Sequence, residues 1–202
     1  MQHDFILLDR SGSMANLWTE ALSSVNSYVR KLAEEKVDTG VTLTVFDTGL
    51  DGNIDFKVVR DRIVPSTWHD VSEVEVEPRG MTPLNDAVAK IVALANSGGY
   101  DKVVIIIMTD GYENASKELT TDQAKKLLDD CRAKGWQVIF LGANFDNVQQ
   151  ARSLGGLRGQ TVNSSPKNMR ATMTATATMS ANYATSGASM DFSDDFREAA
   201  KN

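Results

Sequence analysis

Short apolar runs alternate with longer amphipathic stretches through most of the chain. The apolar runs lie at residues 5–8, 41–46, 102–108 and 136–141, and they are rich in aliphatic and β-branched side chains. Continuous runs of this kind are typical of strands that are covered on both faces, because successive side chains of a strand point to opposite faces. The pattern therefore predicts a central sheet with helices on both sides.

Four helices are predicted between and after these strands, from apolar residues at helical spacing. The first spans residues 16–35. The second opens with Thr82 as its N-cap and Pro83 at its first helical position. The third covers residues 121–134, and a short fourth runs from 144 to 154.

A turn at residues 50–53 interrupts this alternation. Residues 54–59 follow it, and their apolar and polar side chains alternate as in a strand that is exposed on one face. A tight turn joins antiparallel neighbours, so this segment is predicted to be an antiparallel edge strand. The predicted fold class is α/β: a doubly wound, mostly parallel, Rossmann-like central sheet with one antiparallel edge strand.

The composition changes near residue 160, from aliphatic runs to Ala, Thr, Ser, Met and Asn. A helix over residues 166–185 is expected, but its small side chains stabilise less on burial than aliphatic ones. Residues 186–202 are expected to be a mobile tail with one last helical turn. We therefore predict a domain over residues 1–163 and, over residues 164–202, an accessory helix that docks weakly or binds a partner, followed by the mobile tail.

Length, charge and cysteine content narrow the class of protein further. A chain of 202 residues, 42% hydrophobic, suits one core, and its net charge of -6 argues against nonspecific nucleic-acid binding. The single cysteine, Cys131, excludes a disulfide framework and favours a reducing compartment. No apolar stretch approaches the roughly 20 residues that cross a bilayer. We expect a cytoplasmic protein that contacts neither membrane nor nucleic acid.

Polar residues with oxygen ligands follow the apolar runs directly. Asp9, Ser11 and Ser13 come after the first strand, and Asp110 comes after the most apolar one. The carboxyl ends of parallel strands meet at one edge of a sheet, where open α/β sheets bind ligands. Hard oxygen ligands of this kind suit a small divalent cation such as Mg2+. A Ser/Gly turn that only leads into the helix would also fit the first three residues.

Three segments in order carry a family resemblance: Asp9-Arg10-Ser11-Gly12-Ser13, Gly80-Met81-Thr82-Pro83-Leu84 and Thr109-Asp110-Gly111. Over about residues 1–160 the chain resembles a von Willebrand factor A domain, and the three segments resemble that family's metal-ion-dependent adhesion site. Further similarity to compact bacterial and phage members lies in three shorter stretches, Phe46-Asp47, Tyr112 to Ser116 and Leu141 to Asn144. A bacterial or phage-infected host cytosol is the expected setting.

The resemblance implies a metal site and a mode of binding. Ser11, Ser13 and Thr82 would offer hydroxyl oxygens directly to Mg2+ or Mn2+, and Asp9 and Asp110 would act mainly through bound water. With only two charged ligands the cation is under-neutralised, so a carboxylate from a partner protein can complete its shell. The resemblance thus implies a non-enzymatic, metal-dependent protein-binding module.

Other residues near this edge are weaker candidates. Asp47, at the end of the second strand, is a candidate for holding a metal-bound water, although an acid at such a junction is ordinary. Met81, Tyr112 and Trp68 lie in loops predicted beside the site and are candidates for partner contact. The N-cap role predicted for Thr82 competes with a metal role, because a cap directs the hydroxyl to a backbone N–H.

Three other functions stay open from the sequence. Asp9 after the first strand also suits a phosphatase-like hydrolase, but the second acid expected two residues later is replaced by Ser11. Phosphate binding at residues 11–14 is a further reading, although the loop lacks the Gly-Lys-Ser/Thr ending of a phosphate-binding loop. The third function that stays open is that of a structural or assembly protein with a vestigial site.

Overall fold

The computed structural model describes residues 1–142 and 145–202, and of residues 145–148 it describes the backbone alone. Ala143 and Asn144 of the predicted motif, with the predicted start of the fourth helix, lie outside the described residues. The described part forms one sheet with helices on both faces, in the following chain order: β1 Gln2–Asp9, α1 Trp18–Glu34, β2 Thr39–Thr48, β3 Ile54–Ile63, α2 Leu84–Ser97, β4 Lys102–Met108, α3 Thr121–Ala133, β5 Gln137–Gly142, α4 Phe145–Ser153, β6 Thr161–Asn163, α5 Met169–Ser186 and α6 Asp194–Lys201.

The sheet is mostly parallel, as predicted. Its strands lie in the order β3-β2-β1-β4-β5-β6, and only β3 pairs antiparallel, with β2. β1 lies between β2 and β4, so the chain order reverses between β1 and β4. This reversal opens the crevice where doubly wound folds bind ligands. The three-residue strand β6 was not predicted, because Thr161–Asn163 is too short to give an apolar run.

Two hydrophobic cores lie on the two faces of the sheet. Along β1, Ile6 and Leu8 enter the core under α1 and α5, whereas Phe5 and Leu7 enter the core under α2 and α3. This division follows from the alternation of side chains along a strand. Because both faces are covered, every residue of β1 is buried.

Helix α5 packs along α1 and closes one of these cores. Met169, Met173 and Tyr183 are buried there, and Met179 packs against the same cluster. Met190 and Phe192, beyond the helix, are buried in that core too. The prediction of a mobile tail did not anticipate this burial. The boundary after residue 163 concerns independent folding and stays a prediction.

None of the described helices is both long enough and apolar enough to cross a membrane.

Candidate functional site

The site begins where β1 ends. Asp9, its last residue, is fully buried, and its Oδ1 accepts a hydrogen bond of 2.7 Å from the backbone N–H of Ser11. A short 3-10 helix over Gly12–Leu17 then leads into α1, and its Met14 is buried in the core. This turn brings the hydroxyl oxygens of Ser11 and Ser13 to within 3.1 Å of each other.

The end of β4 supplies the second group of oxygens. Because β4 pairs with β1, Thr109 Oγ1 reaches Asp9 Oδ2 and donates a hydrogen bond of 2.7 Å. Ser13 Oγ donates to Asp110 Oδ1, also at 2.7 Å. The two predicted acids therefore meet the two predicted serines at one point of the sheet edge.

Thr82 completes the group from the loop before α2. A Cβ placed on Gly111 would lie 3.2 Å from Thr82 Oγ1, 3.4 Å from Ser13 Oγ and 3.9 Å from Asp9 Oδ2. Three side-chain oxygens from three segments thus surround one small volume. The absence of a side chain at Gly111 leaves that volume accessible to them.

The predicted N-cap role of Thr82 is wrong. Helix α2 begins at Leu84, so Pro83 takes the N-cap position and Thr82 lies outside the helix. The backbone of Thr82 is held instead by Asn114, whose Oδ1 accepts from Thr82 N at 2.9 Å and whose N–H donates to Thr82 O at 3.1 Å. Within the described part of the chain Thr82 Oγ1 has no hydrogen-bond partner, so its hydroxyl is available as a ligand.

A loop after β4 supports Thr82 and the start of α2. The carboxylate of Glu113 accepts from the backbone N–H of Asn85 at 2.8 Å and from that of Ser116 at 2.7 Å. Asp86 Oδ1 accepts from Leu119 N and its Oδ2 from Lys117 N, each at 2.8 Å. These two acids fold the loop over residues 112–119 onto α2.

The roles of Thr109, Glu113 and Asn114 were not predicted from the sequence. Each acts on a residue far away in the chain, and their partners are set by the pairing of β1 with β4 and by the position of α2. The sequence signals for them were the segment Thr109-Asp110-Gly111 and the stretch from Tyr112 to Ser116, which contributed to the family resemblance.

Burial dominates the electrostatics of the two site carboxylates. Burial raises the pKa of Asp9 to about 6, although hydrogen bonds from Thr109 and Ser11 oppose the rise. The neighbouring Asp110 raises it slightly further, and burial raises the pKa of Asp110 as well. Without a cation the site thus disfavours its two negative charges. A divalent cation would reverse that preference.

The donor set fits a small hard cation. Mg2+ holds oxygen ligands in a near-octahedral shell at roughly 2.0–2.1 Å, so neighbouring ligands lie roughly 2.9 Å apart. The separation of the Ser11 and Ser13 hydroxyl oxygens, 3.1 Å, is close to that spacing. Among the described residues no group of three or more His, Cys, Asp or Glu side chains is placed to hold a metal. A metal at this edge would therefore depend on the hydroxyl groups.

Asp47 lies in an ion-pair network beside this site. Its Oδ1 accepts from Arg10 Nε at 3.0 Å and its Oδ2 from Arg79 Nε at 2.8 Å, and both arginines also pair with Asp55. Both oxygens of Asp47 are thus bound to guanidinium groups. Asp47, near the end of β2, thus joins the loop after β1 to the loop before α2. Its predicted role toward a metal-bound water stays a prediction.

The three candidates for partner contact lie in different surroundings. Met81 and Tyr112 are 51% and 45% exposed, and they belong to the loops that carry Thr82 and Asp110. Trp68 is partly buried against the core under α1, where its Nε1 donates to Asn26 Oδ1 at 3.1 Å. Trp68 therefore packs on a helix, whereas the other two are on the accessible side of the site loops.

Comparison with protein families matches residues 5–180 to the model of the von Willebrand factor type A domain. Comparison with curated proteins gives no match. Solved structures share the fold. The PilB minor pilin from Streptococcus sanguinis aligns with a TM-score of 0.66 at 11% identity, covering 88% of this chain. This chain spans 60% of the pilin's length.

Two other similar structures come from different organisms. The vWF domain of the type V pili tip protein Mfa5 from Porphyromonas gingivalis has a TM-score of 0.64 at 11% identity, over 88% of this chain and 94% of that one. Manganese-loaded TRAP protein from Plasmodium vivax has a TM-score of 0.61 at 16% identity, over 85% and 71%. At these identities the likeness concerns the fold.

Proposed function

The chain belongs to the von Willebrand factor type A family, and on that premise we propose that it is a non-enzymatic protein-binding module that depends on Mg2+ or Mn2+. The observation that carries the proposal is the convergence of oxygens from the ends of β1 and β4 and from the loop before α2. The family's typical role in adhesion and protein binding supports it, as does the manganese carried by the TRAP structure.

Five side chains would hold the cation. Ser11, Ser13 and Thr82 would offer neutral oxygens, while Asp9 and Asp110 would act mainly through water. The bound cation supplies a Lewis-acidic position that accepts a carboxylate. Because Asp9 and Asp110 would act through bound water, the three hydroxyl groups leave coordination positions of the cation open, and an Asp or Glu of a partner protein can take one without displacing either acid. The buried hydrogen bonds to Asp9 keep that carboxylate in place.

The hydrolase alternative is less well supported. A nucleophilic Asp9 would need an exposed oxygen, but the residue is fully buried and its two oxygens accept hydrogen bonds from Ser11 and Thr109. No other carboxylate than Asp110 enters the immediate group of described side chains. An assembly role with a vestigial site is not favoured by this geometry, because Thr82 Oγ1 stays unbonded among described residues.

Calorimetric titration with MgCl2 and MnCl2 tests the metal site. We expect one site per chain, lost in Asp9→Ala and weakened in Ser13→Ala. Asp130→Ala is the matched control, since Asp130 is an exposed residue of α3. Unchanged binding in Asp9→Ala, or equal loss in the control, would overturn the assignment.

Partner binding needs a separate test. Pull-down from a lysate of the source cell, with Mg2+ or with a chelator, should recover a partner only with the metal. An Asp9→Ala bait should recover none in either condition. Capture that a chelator leaves unchanged would show that the metal does not mediate binding.

A further inference from the structure

A polar cavity lies at the outer edge of the sheet, beside β6. It measures about 410 Å³ and is formed by the end of α4, the loop before β6, the end of β6 and helix α6. Arg152, Arg158, Arg197 and Lys201 line it, with Glu198 as the acid of the lining. Asn163, the last residue of β6, is part of the same wall. The cavity thus lies along the outer side of β6, and residues from both ends of that strand are in its wall.

The charge of this cavity is opposite to that of the protein. The chain carries a net charge of -6, yet four cationic side chains and one carboxylate line the cavity. Two internal acids offset part of the charge: Glu198 pairs with Lys201 at 2.6 Å, and Asp194 pairs with Arg158 at 3.0 Å and with Arg197. Arg152 has no ion pair with any described residue. The lining therefore keeps an excess of positive charge.

One of the arginines is held in position by the fold. The Arg197 side chain is 11% exposed, and its Nη1 donates to Arg158 O at 2.7 Å. A guanidinium has five N–H donors, so the contacts with Asp194 and Arg158 O leave donors for another acceptor. By contrast, the Arg158 side chain is 77% exposed and can close over a ligand. One fixed and several movable cations are grouped around the same volume.

We propose that this cavity binds a small multivalent oxyanion of the phosphate class. The planar donor fork of arginine matches phosphate oxygens two at a time. The volume lies in the range of small-ligand sites, which extends from about 300 to 1,000 Å³. The site is separate from the five proposed metal ligands, which belong to the ends of β1 and β4 and the loop before α2. It requires no metal.

Titration of the full chain with sodium pyrophosphate, in a chelating buffer, tests this proposal. Binding should weaken about tenfold or more in the double variant Arg152→Gln/Arg158→Gln, because charged hydrogen bonds are lost. Lys57→Gln/Lys126→Gln changes the net charge equally and touches no residue of the lining, so it should bind like the wild type. A melting curve for each variant confirms that it is folded.

A third variant should act in the opposite direction. Asp194→Asn releases Arg158 and Arg197 from their shared carboxylate and should tighten pyrophosphate binding several-fold, an outcome that misfolding cannot produce. Amide NMR shifts should cluster at residues 152–163 and 194–201. The proposal is overturned if millimolar pyrophosphate does not bind, if the Lys57/Lys126 variant loses as much affinity, or if Asp194→Asn weakens binding.

Discussion

The two ends of β1 each carry a buried carboxylate, and their surroundings differ. Asp4, near the amino end, accepts from Tyr28 and Ser180 hydroxyls at 2.6 and 2.7 Å and from Gln2 Nε2 at 2.8 Å. Asp9, at the carboxyl end, accepts from Ser11 N and Thr109 Oγ1. Burial raises the pKa of both acids.

The difference lies in what else is close to each acid. Donors from α1 and α5 meet at Asp4, so its environment is closed and it connects those helices to the sheet. Near Asp9 the next side chains present further oxygens, from Ser13, Thr82 and Asp110. The lone pairs of these oxygens can bind a cation in addition to their hydrogen bonds. A buried acid enclosed by its donors supports the fold, whereas one that lies beside oxygens from several other segments indicates a ligand site.

Removal of residues 164–202 should have the largest effect on stability. It removes groups that surround the amino end of β1 and leaves the carboxyl end unchanged. It takes away Ser180, a donor to Asp4, and the buried Met173, Met190 and Phe192, but leaves every proposed metal ligand. We expect loss of cooperative thermal unfolding, measured by circular dichroism. A cooperative transition with only a modest drop in melting temperature, and with unchanged metal affinity, would instead support the predicted boundary after Asn163.

Asp4→Ala should destabilise the protein by roughly 3 kcal/mol or more, because it leaves the buried hydroxyls of Tyr28 and Ser180 without their acceptor. Denaturant unfolding measures the loss. Asp4→Asn keeps one acceptor oxygen and should cost less. Metal affinity should be unchanged in whichever variant folds; a large change would mean that the two ends of β1 are coupled.

Asp9→Asn should have the smaller effect on stability, and of opposite sign. A folded-state pKa of about 6, against the ordinary 3.8, means that the folded protein binds the proton more tightly than the unfolded chain. Without metal, stability should therefore fall as pH rises from about 4 to 6 and stay lower above that. Removing the charge should add less than the roughly 3 kcal/mol that this difference in pKa represents at pH 7, because the Asn amide replaces one of the two acceptor oxygens. Denaturant unfolding of both proteins in the presence of a chelator, at pH 4.5 and at pH 7, measures the difference in stability.

Mg2+ should reverse the order of stability of the wild type and Asp9→Asn. Excess Mg2+ should stabilise the wild type at pH 7 and leave Asp9→Asn unchanged, since ligand binding to the folded state adds to its stability. If the variant gains as much stability from Mg2+ as the wild type, the cation binds elsewhere.

Much of the fold followed from the sequence because β1, β2, β4 and β5 are almost entirely buried. Continuous apolar runs such as residues 102–108 have no other stable environment in a chain of this composition, and the alternation with helices determines the parallel pairing. The short β6 gave no such signal. The burial of Met190 and Phe192 was missed for a related reason. They are two isolated apolar residues, and other elements of the fold form the groove that buries them.

For the candidate site, the sequence predicted which residues meet but not what holds them. Asp9 and Asp110 both end apolar runs, so their proximity follows from strand pairing. The start of α2 was misplaced because Thr82-Pro83 is a good capping sequence locally, whereas Asn114 fixes Thr82 from a distant loop. Arg10 and Arg79 likewise gave no pattern that links them to Asp47, because ion pairs across a sheet edge have no sequence period.

The hydrogen bond between Thr109 and Asp9 joins residues 100 positions apart in the chain. Contacts of such sequence separation form only after a large loop has closed, and proteins rich in them fold more slowly. The site can therefore not exist in a partly folded chain in which β1 has not yet paired with β4. Metal affinity would then serve as a kinetic probe, appearing during refolding only when the centre of the sheet has assembled.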